Sequence, residues 1–316
     1  MNKSSLYLYK GKIRIKIAKF IGQDKYGQLK KWYVGRKMLD ADAINKVIYD
    51  GIISGKPFMA CRFGSTELNS MSSFYFDRTD EYQKAIDHVC FYSGFFPNDV
   101  SLGKRFTDTM VDACRIADFL AVWFVHYEDY FVKHTLPKTS QIGYLMNMEP
   151  WKAKKPWTAA LKGKKVLVIH PFDESIRRQY EKRQLLFDNP DMLPAFELRT
   201  LKAVQTLAGT KDDRFENWFE ALQYMYDEAM KIDFDVAILG CGAYGMPLAA
   251  MLKKAGKQAI HMGGVTQILF GIKGKRWEEK KAYEYIKKMM NDYWEYPLES
   301  EKPKDSQKVE GNCYWG

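Results

Sequence analysis

The chain has 316 residues, 46% hydrophobic and 28% charged, and carries a formal net charge of +10. That is enough to bury a core for one large α/β domain or two small ones, and the charge favours phosphates, acidic glycans or an anionic membrane surface without choosing among them. No apolar run approaches the ~18–20 residues of a membrane span, and the basic start MNKSSLYLYKGKIRIKIAKF lacks the apolar stretch and cleavage site of a signal peptide, so a cytoplasmic protein is expected.

Residues 1–36 are basic and alternate in KIRIKIAKF, which predicts a short amphipathic strand or a peripheral arm. Its aromatics Tyr7, Tyr9, Phe20, Trp32 and Tyr33 suit contact with the inner face of a membrane or a partner, or packing as an edge element. Asp40 caps a helix reaching residue 53, and Gly55-Lys56-Pro57 ends it. Residues 58–63 (FMACRF) form a strand that runs into Gly64, Ser65, Thr66 and Glu67, the start of a helix. Arg62 at that strand end can fork onto a phosphate. Glu67 can act as general base, metal ligand or partner of a sugar hydroxyl. The structural alternative is an Arg62–Glu67 ion pair, or a carboxylate favoured by the helix dipole. Helices follow at 82–92 and 100–116, then an apolar strand at 119–125 and a polar cluster, His126 to Asp129, at the site or on the surface. Residues 133–163 read as a long connection with a short helix, a candidate lid or acceptor-facing loop.

Residues 164–169 make another strand, ending at His170, Pro171 and Phe172. The helix after it starts at Asp173 or Ser175. Ser175 and Gln179 lie one turn apart on it, placed to reach a common ligand. The strand at 196–204 carries Lys202, with Gln205 just beyond, as phosphate or sugar contacts. An amphipathic helix at 214–231 buries Trp218, Phe219, Leu222, Met225 and Tyr226.

The stretch 235–277 organises the rest. A buried strand at 236–239 leads into Gly240, Cys241, Gly242, Ala243, Tyr244 and Gly245, a helix to Lys254, and a strand at 258–262 ending in Gly263 and Gly264. This βαβ unit aims free N–H groups beyond the strand ends, where a diphosphate fits. Gly240-x-Gly242-x-x-Gly245 also matches the dinucleotide fingerprint of nicotinamide or flavin enzymes. Against that, His261 stands where a ribose-binding acid is required, and the motif lies late in the chain. A short apolar helix at 265–270 carries Gln267, and Lys273, Lys275 and Arg276 follow as a phosphate clamp or a solvated charge run. Residues 278–290 read as a charged helix, and the tail from Lys302 is polar, with Tyr314 and Trp315 able to dock. Five cysteines with no CxxC pair indicate reduced thiols, Cys241 filling a tight turn. The architecture expected is α/β, a Rossmann-like, mostly parallel sheet flanked by helices. One main domain spans 37–292, between an arm at 1–36 and a tail at 293–316. Arg62, His170, Gly240 and His261 should converge at its strand ends.

RFGSTEL, HPFDESI, GCGAYG and HMGGVTQILFGIKGKRW together resemble the GT-D and GT-D-like glycosyltransferases of bacterial polysaccharide and glycoprotein assembly, over residues 40–280. The resemblance implies a sugar nucleotide donor, UDP-linked, and a glycan or lipid-linked acceptor hydroxyl. At the strand ends, Glu67 or His170 takes the acceptor proton or orients the sugar. Arg62, Gly64, Ser65, Ser175, Gln179, Lys202, the Gly240–Gly245 turn, His261, Gly263, Gly264, Gln267, Lys275 and Arg276 are assigned to binding. The family's R-x-G-D-G-E supplies a metal-binding D-x-E, so Mn2+ or Mg2+ on Glu67 is implied. Here Ser65 replaces the aspartate, and His261-Met262-Gly263-Gly264 stands where the pattern has D-I-G-H. Without a metal, Lys275, Arg276, Arg62 and His261 would stabilise the departing diphosphate. The competing classes are a non-catalytic sugar-nucleotide or glycan binder and a nicotinamide-dependent oxidoreductase. No known nucleic-acid module is present.

Overall fold

The computed structural model describes residues 3–303 and 313–315. Nine strands form one sheet: β1 (Trp32–Tyr33), β2 (Arg36–Leu39), β3 (Phe58–Arg62), β4 (Phe119–Val122), β5 (Gln141–Tyr144), β6 (Lys165–His170), β7 (Glu197–Lys202), β8 (Val236–Leu239) and β9 (Gln258–His261). Their order is β1-β2-β5-β4-β3-β9-β8-β6-β7, and only the β1–β2 pair is antiparallel. The α/β, mostly parallel architecture is therefore as expected.

Strand periodicity explains the two cores. Met59, Cys61, Leu120, Val122, Leu167, Ile169, Ala237 and Leu239 face one side, where they meet the helices Ser65–Tyr75, Gly103–Cys114 and Gly245–Lys254. Their neighbours Ala60, Phe119, Ala121, Val166, Val168, Val236 and Ile238 face the other, against the helices Ala41–Ile53 and Asp173–Glu181. Successive residues on a strand point to opposite faces, so a sheet covered on both sides needs unbroken apolar strands. Helix Ala41–Ile53 shows the complementary period: Ile44, Ile48 and Ile52 are fully buried, and Asp40 caps it by accepting from the Ala43 N–H at 2.9 Å.

Three local expectations fail. KIRIKI is not a strand: residues Lys3–Ile21 form a helix, joined at Gly22 (φ +84°) to a second, Gln23–Leu29. The spacing that wins is helical: Arg14, Ala18 and Ile21 recur every three or four residues on the face that packs on the body. The connection at 133–163 hides β5, whose Ile142 pairs with Leu120 of β4. The charged helix at 278–290 is broken into Lys275–Glu279 and Glu284–Lys287, each anchored by one buried apolar side chain, Trp277 and Ile286.

From β3 the chain works outward to β4 and β5, whereas β6 to β9 fill the other half of the sheet. The loops leaving β3, β9, β8 and β6 thus diverge over neighbouring carboxyl ends, where a doubly wound sheet opens its crevice.

Candidate functional site

That crevice is a cavity of about 470 Å³. β3 contributes Arg62, Gly64, Ser65, Thr66 and Glu67; β6 contributes His170, Pro171 and Phe172; the turn after β8 contributes Gly240 and Gly242; and the segment after β9 contributes Gly263, Gly264, Gln267 and Arg276. Twelve sequence-predicted residues, Gln205 among them, are brought together here.

Arg62 does not pair with Glu67. Its guanidinium lies over the Trp123 ring, 5.3 Å from the centroid, and Trp123 donates its indole N–H to Phe63 O at 3.1 Å. Gly263 keeps a left-handed φ of +70°, the conformation that favours glycine at this turn, beside the Arg62 side chain. Arg276 is held from the far end of the chain: its Nη1 donates to Tyr314 Oη at 2.9 Å, and its backbone N–H to Cys313 O at 3.0 Å. Glu67 is buried, accepts from Thr66 Oγ1 at 2.8 Å, and is the one carboxylate lining the cavity among the described residues. Its carboxylate folds over Gly64, where a Cβ would fall 1.6 Å from Oε2, so any side chain at position 64 would expel it.

The two histidines differ. Burial pushes the pKa of His170 down to about 3, so the ring is neutral. Its Nδ1 accepts the Phe172 N–H at 3.0 Å. With that lone pair occupied, the proton belongs on Nε2, which makes His170 a hydrogen-bond donor to the cavity rather than a proton acceptor. His261 is also neutral, pushed to about 3 by burial and then by the Arg62 charge. It does not line the cavity. Its ring packs against Gly245, where a Cβ would meet ring atoms at 2.1 Å.

Several other candidates serve structure. Ser175 and Gln179 share a face as expected, but that face receives the chain's last segment: Ser175 Oγ bonds the Glu301 carboxylate, and Gln179 Nε2 donates to Gly271 O at 2.8 Å and Tyr293 O at 3.1 Å. Tyr244 stacks on Trp218 at 4.9 Å inside the core, beside buried Ala243. Lys202 is exposed at the end of β7, and Lys275 lies outside the cavity, its N–H donating to Trp315 O at 3.3 Å. Cys241 is buried and its thiol is pushed up to about 12, which suits a turn filler. Glu128, read as a site or surface residue, is fully buried; its carboxylate accepts from the N–H groups of Trp123 and Phe124, and burial raises its pKa to about 8.

Sequence reasoning did not assign His88, Tyr92, Ser93, Trp123, Leu207, Lys280, Tyr283, Tyr314 or Trp315 to the pocket, all of which line it. Only the docking aromatics of the tail carried a signal. Buried Gln267 and Trp315 each keep a polar atom with no hydrogen-bond partner, Oε1 and Nε1 respectively.

The donor set does not fit a protein-held divalent metal. Glu67 is the sole acid of the lining, Ser65 is a weak ligand, and no group of three His, Cys, Asp or Glu side chains converges among the described residues.

No family model matches the chain, and no curated protein does. Two solved structures are similar, each at 13% identity. One, "The highly conserved domain of unknown function 1792 has a distinct glycosyltransferase fold", aligns over 85% of this chain and 93% of its own with a TM-score of 0.44. The other, a selenomethionine-substituted domain of unknown function 1792, aligns over 73% and 79% with a TM-score of 0.42.

Proposed function

We propose that this protein is a glycosyltransferase. It would move a hexose from a UDP-linked donor to a hydroxyl of a glycan or lipid-linked acceptor in surface polysaccharide or glycoconjugate assembly. The observation that carries the reading is the charge layout of one cavity: Arg62, Arg276 and Lys280 beside glycine turns, with Glu67 as the single acid among the described residues. Cations and close backbone approach suit a diphosphate, and a lone buried carboxylate suits proton removal.

In this mechanism the diphosphate lies over the Gly240–Gly242 and Gly263–Gly264 turns. Glu67 takes the proton of the acceptor hydroxyl as its oxygen bonds the anomeric carbon. The bond from that carbon to the diphosphate breaks, and the electron pair leaves with UDP, whose charge Arg62, Arg276 and Lys280 stabilise. His170, a neutral donor, orients the sugar or a phosphate oxygen. Ser65 in place of the D-x-E aspartate favours a second reading, a sugar-nucleotide binder without turnover.

Calorimetry with UDP, run with and without manganese, tests the binding half. We expect saturable binding without the metal; no heat under either condition overturns both readings. Binding without release of UDP from any UDP-sugar, with acceptor extracts present, would leave the binder.

A further inference from the structure

No described residue of the helix Lys3–Ile21 lines the cavity, yet the helix has two distinct faces. One docks on the body: Ala18 is buried, Ile21 packs on the core, and Arg14 pairs with Asp129 at 2.8 Å. Leu6, Tyr9, Ile13, Ile17 and Phe20 recur every three or four residues and share an arc of roughly 80° at 3.6 residues per turn. All five are exposed, Phe20 at 91%. Lys10, Lys12 and Lys16, also exposed, flank the stripe, and residues 1–23 hold six cations and no Asp or Glu.

This chemistry selects the occupant. A second copy of the same face would set cations against cations, and a basic protein partner would do likewise. An anionic lipid surface meets both halves at once, the acyl boundary taking the apolar stripe and the headgroups the lysines. We propose that this helix lies in the surface plane of an anionic bilayer, with Leu6, Tyr9, Ile13, Ile17 and Phe20 turned into it. The helix is coupled to the cavity wall through one turn: Arg14 holds Asp129, Glu128 beside it holds the Trp123 N–H, and Trp123 lies under Arg62. Membrane binding does not depend on which reaction the cavity performs.

The test is co-sedimentation of the full chain with phosphatidylcholine vesicles, with and without phosphatidylglycerol. We expect pelleting with the anionic vesicles only, reversed by salt as the Debye length contracts. Each cation facing such a surface contributes about fivefold, so K12E/K16E should lower partitioning at least twentyfold. I13S/I17S/F20S should lower it about a hundredfold. These side chains are exposed, so the melting curves of both variants should match the parent. No pelleting, equal pelleting on both vesicle types, or variants that pellet like the parent would overturn the proposal. So would a dimer in solution that I13S/I17S/F20S splits into monomers.

Discussion

The turn after β3 and the turn after β8 are the same supersecondary device, a strand running through glycine into a helix, but they supply different things. After β3 the side chains face the cavity: Arg62, Ser65, Thr66 and Glu67 all line it. After β8 only Gly240 and Gly242 do, whereas Ala243 and Tyr244 point into the core and Gly245 gives up its volume to His261. The first turn provides reactive groups and the second provides room. A glycine fingerprint is thus weak evidence about chemistry, because what defines it is the absence of side chains.

The largest expected effect is at the first turn. Glu67→Gln should lower transfer about 10²–10⁴-fold while UDP affinity measured by calorimetry stays within about twofold. Unchanged turnover would remove Glu67 from the mechanism. At the second turn the effect should be on stability. Gly245→Ala drives a methyl into the buried His261 ring and should cost about 1–3 kcal/mol in urea unfolding, with UDP affinity retained because residue 245 is outside the cavity. A loss of affinity with unchanged stability would reverse the assignment of the two turns.

The smallest effect is a pH slope. The folded pKa of His170 is depressed to about 3 from 6.5, so its contribution is fully present above pH 6.5 and lost as pH falls towards 3. Its slope is at most about 1.4 kcal/mol per pH unit. Glu128 runs the other way: raised to about 8, its contribution is full below about pH 4.5 and lost as pH rises through 8. His170→Asn, which keeps an acceptor for the Phe172 N–H, should flatten the fall in urea midpoint between pH 6.5 and 5. An unaltered slope would mean that this histidine does not titrate on unfolding.

What could be read from the sequence was what is local. The apolar runs at 119–122, 165–170 and 236–239 became strands because a sheet buried on both faces demands unbroken hydrophobicity. Arg62, Glu67, His170 and the two glycine turns could be placed because strand ends carry the crevice. β5, its apolar residues interrupted by Gln141 and Gly143, is too mixed to announce itself, and the bifacial first helix mimicked strand alternation through its interleaved lysines. Trp123, Lys280 and Tyr314 reach the cavity through contacts distant in sequence, which no periodicity encodes. Ser175 and Gln179 were correctly put on one face, but the chain segment at 293–301 that covers that face has no local signature.

β3 lies between β4 and β9, with Phe58 paired to Gln258. During synthesis the central strand therefore waits, one flank unpaired, until most of the polypeptide has left the ribosome. The wall made by Gly263, Gly264, Gln267 and Arg276 thus arrives only after the groups carried by β3, β6 and β8.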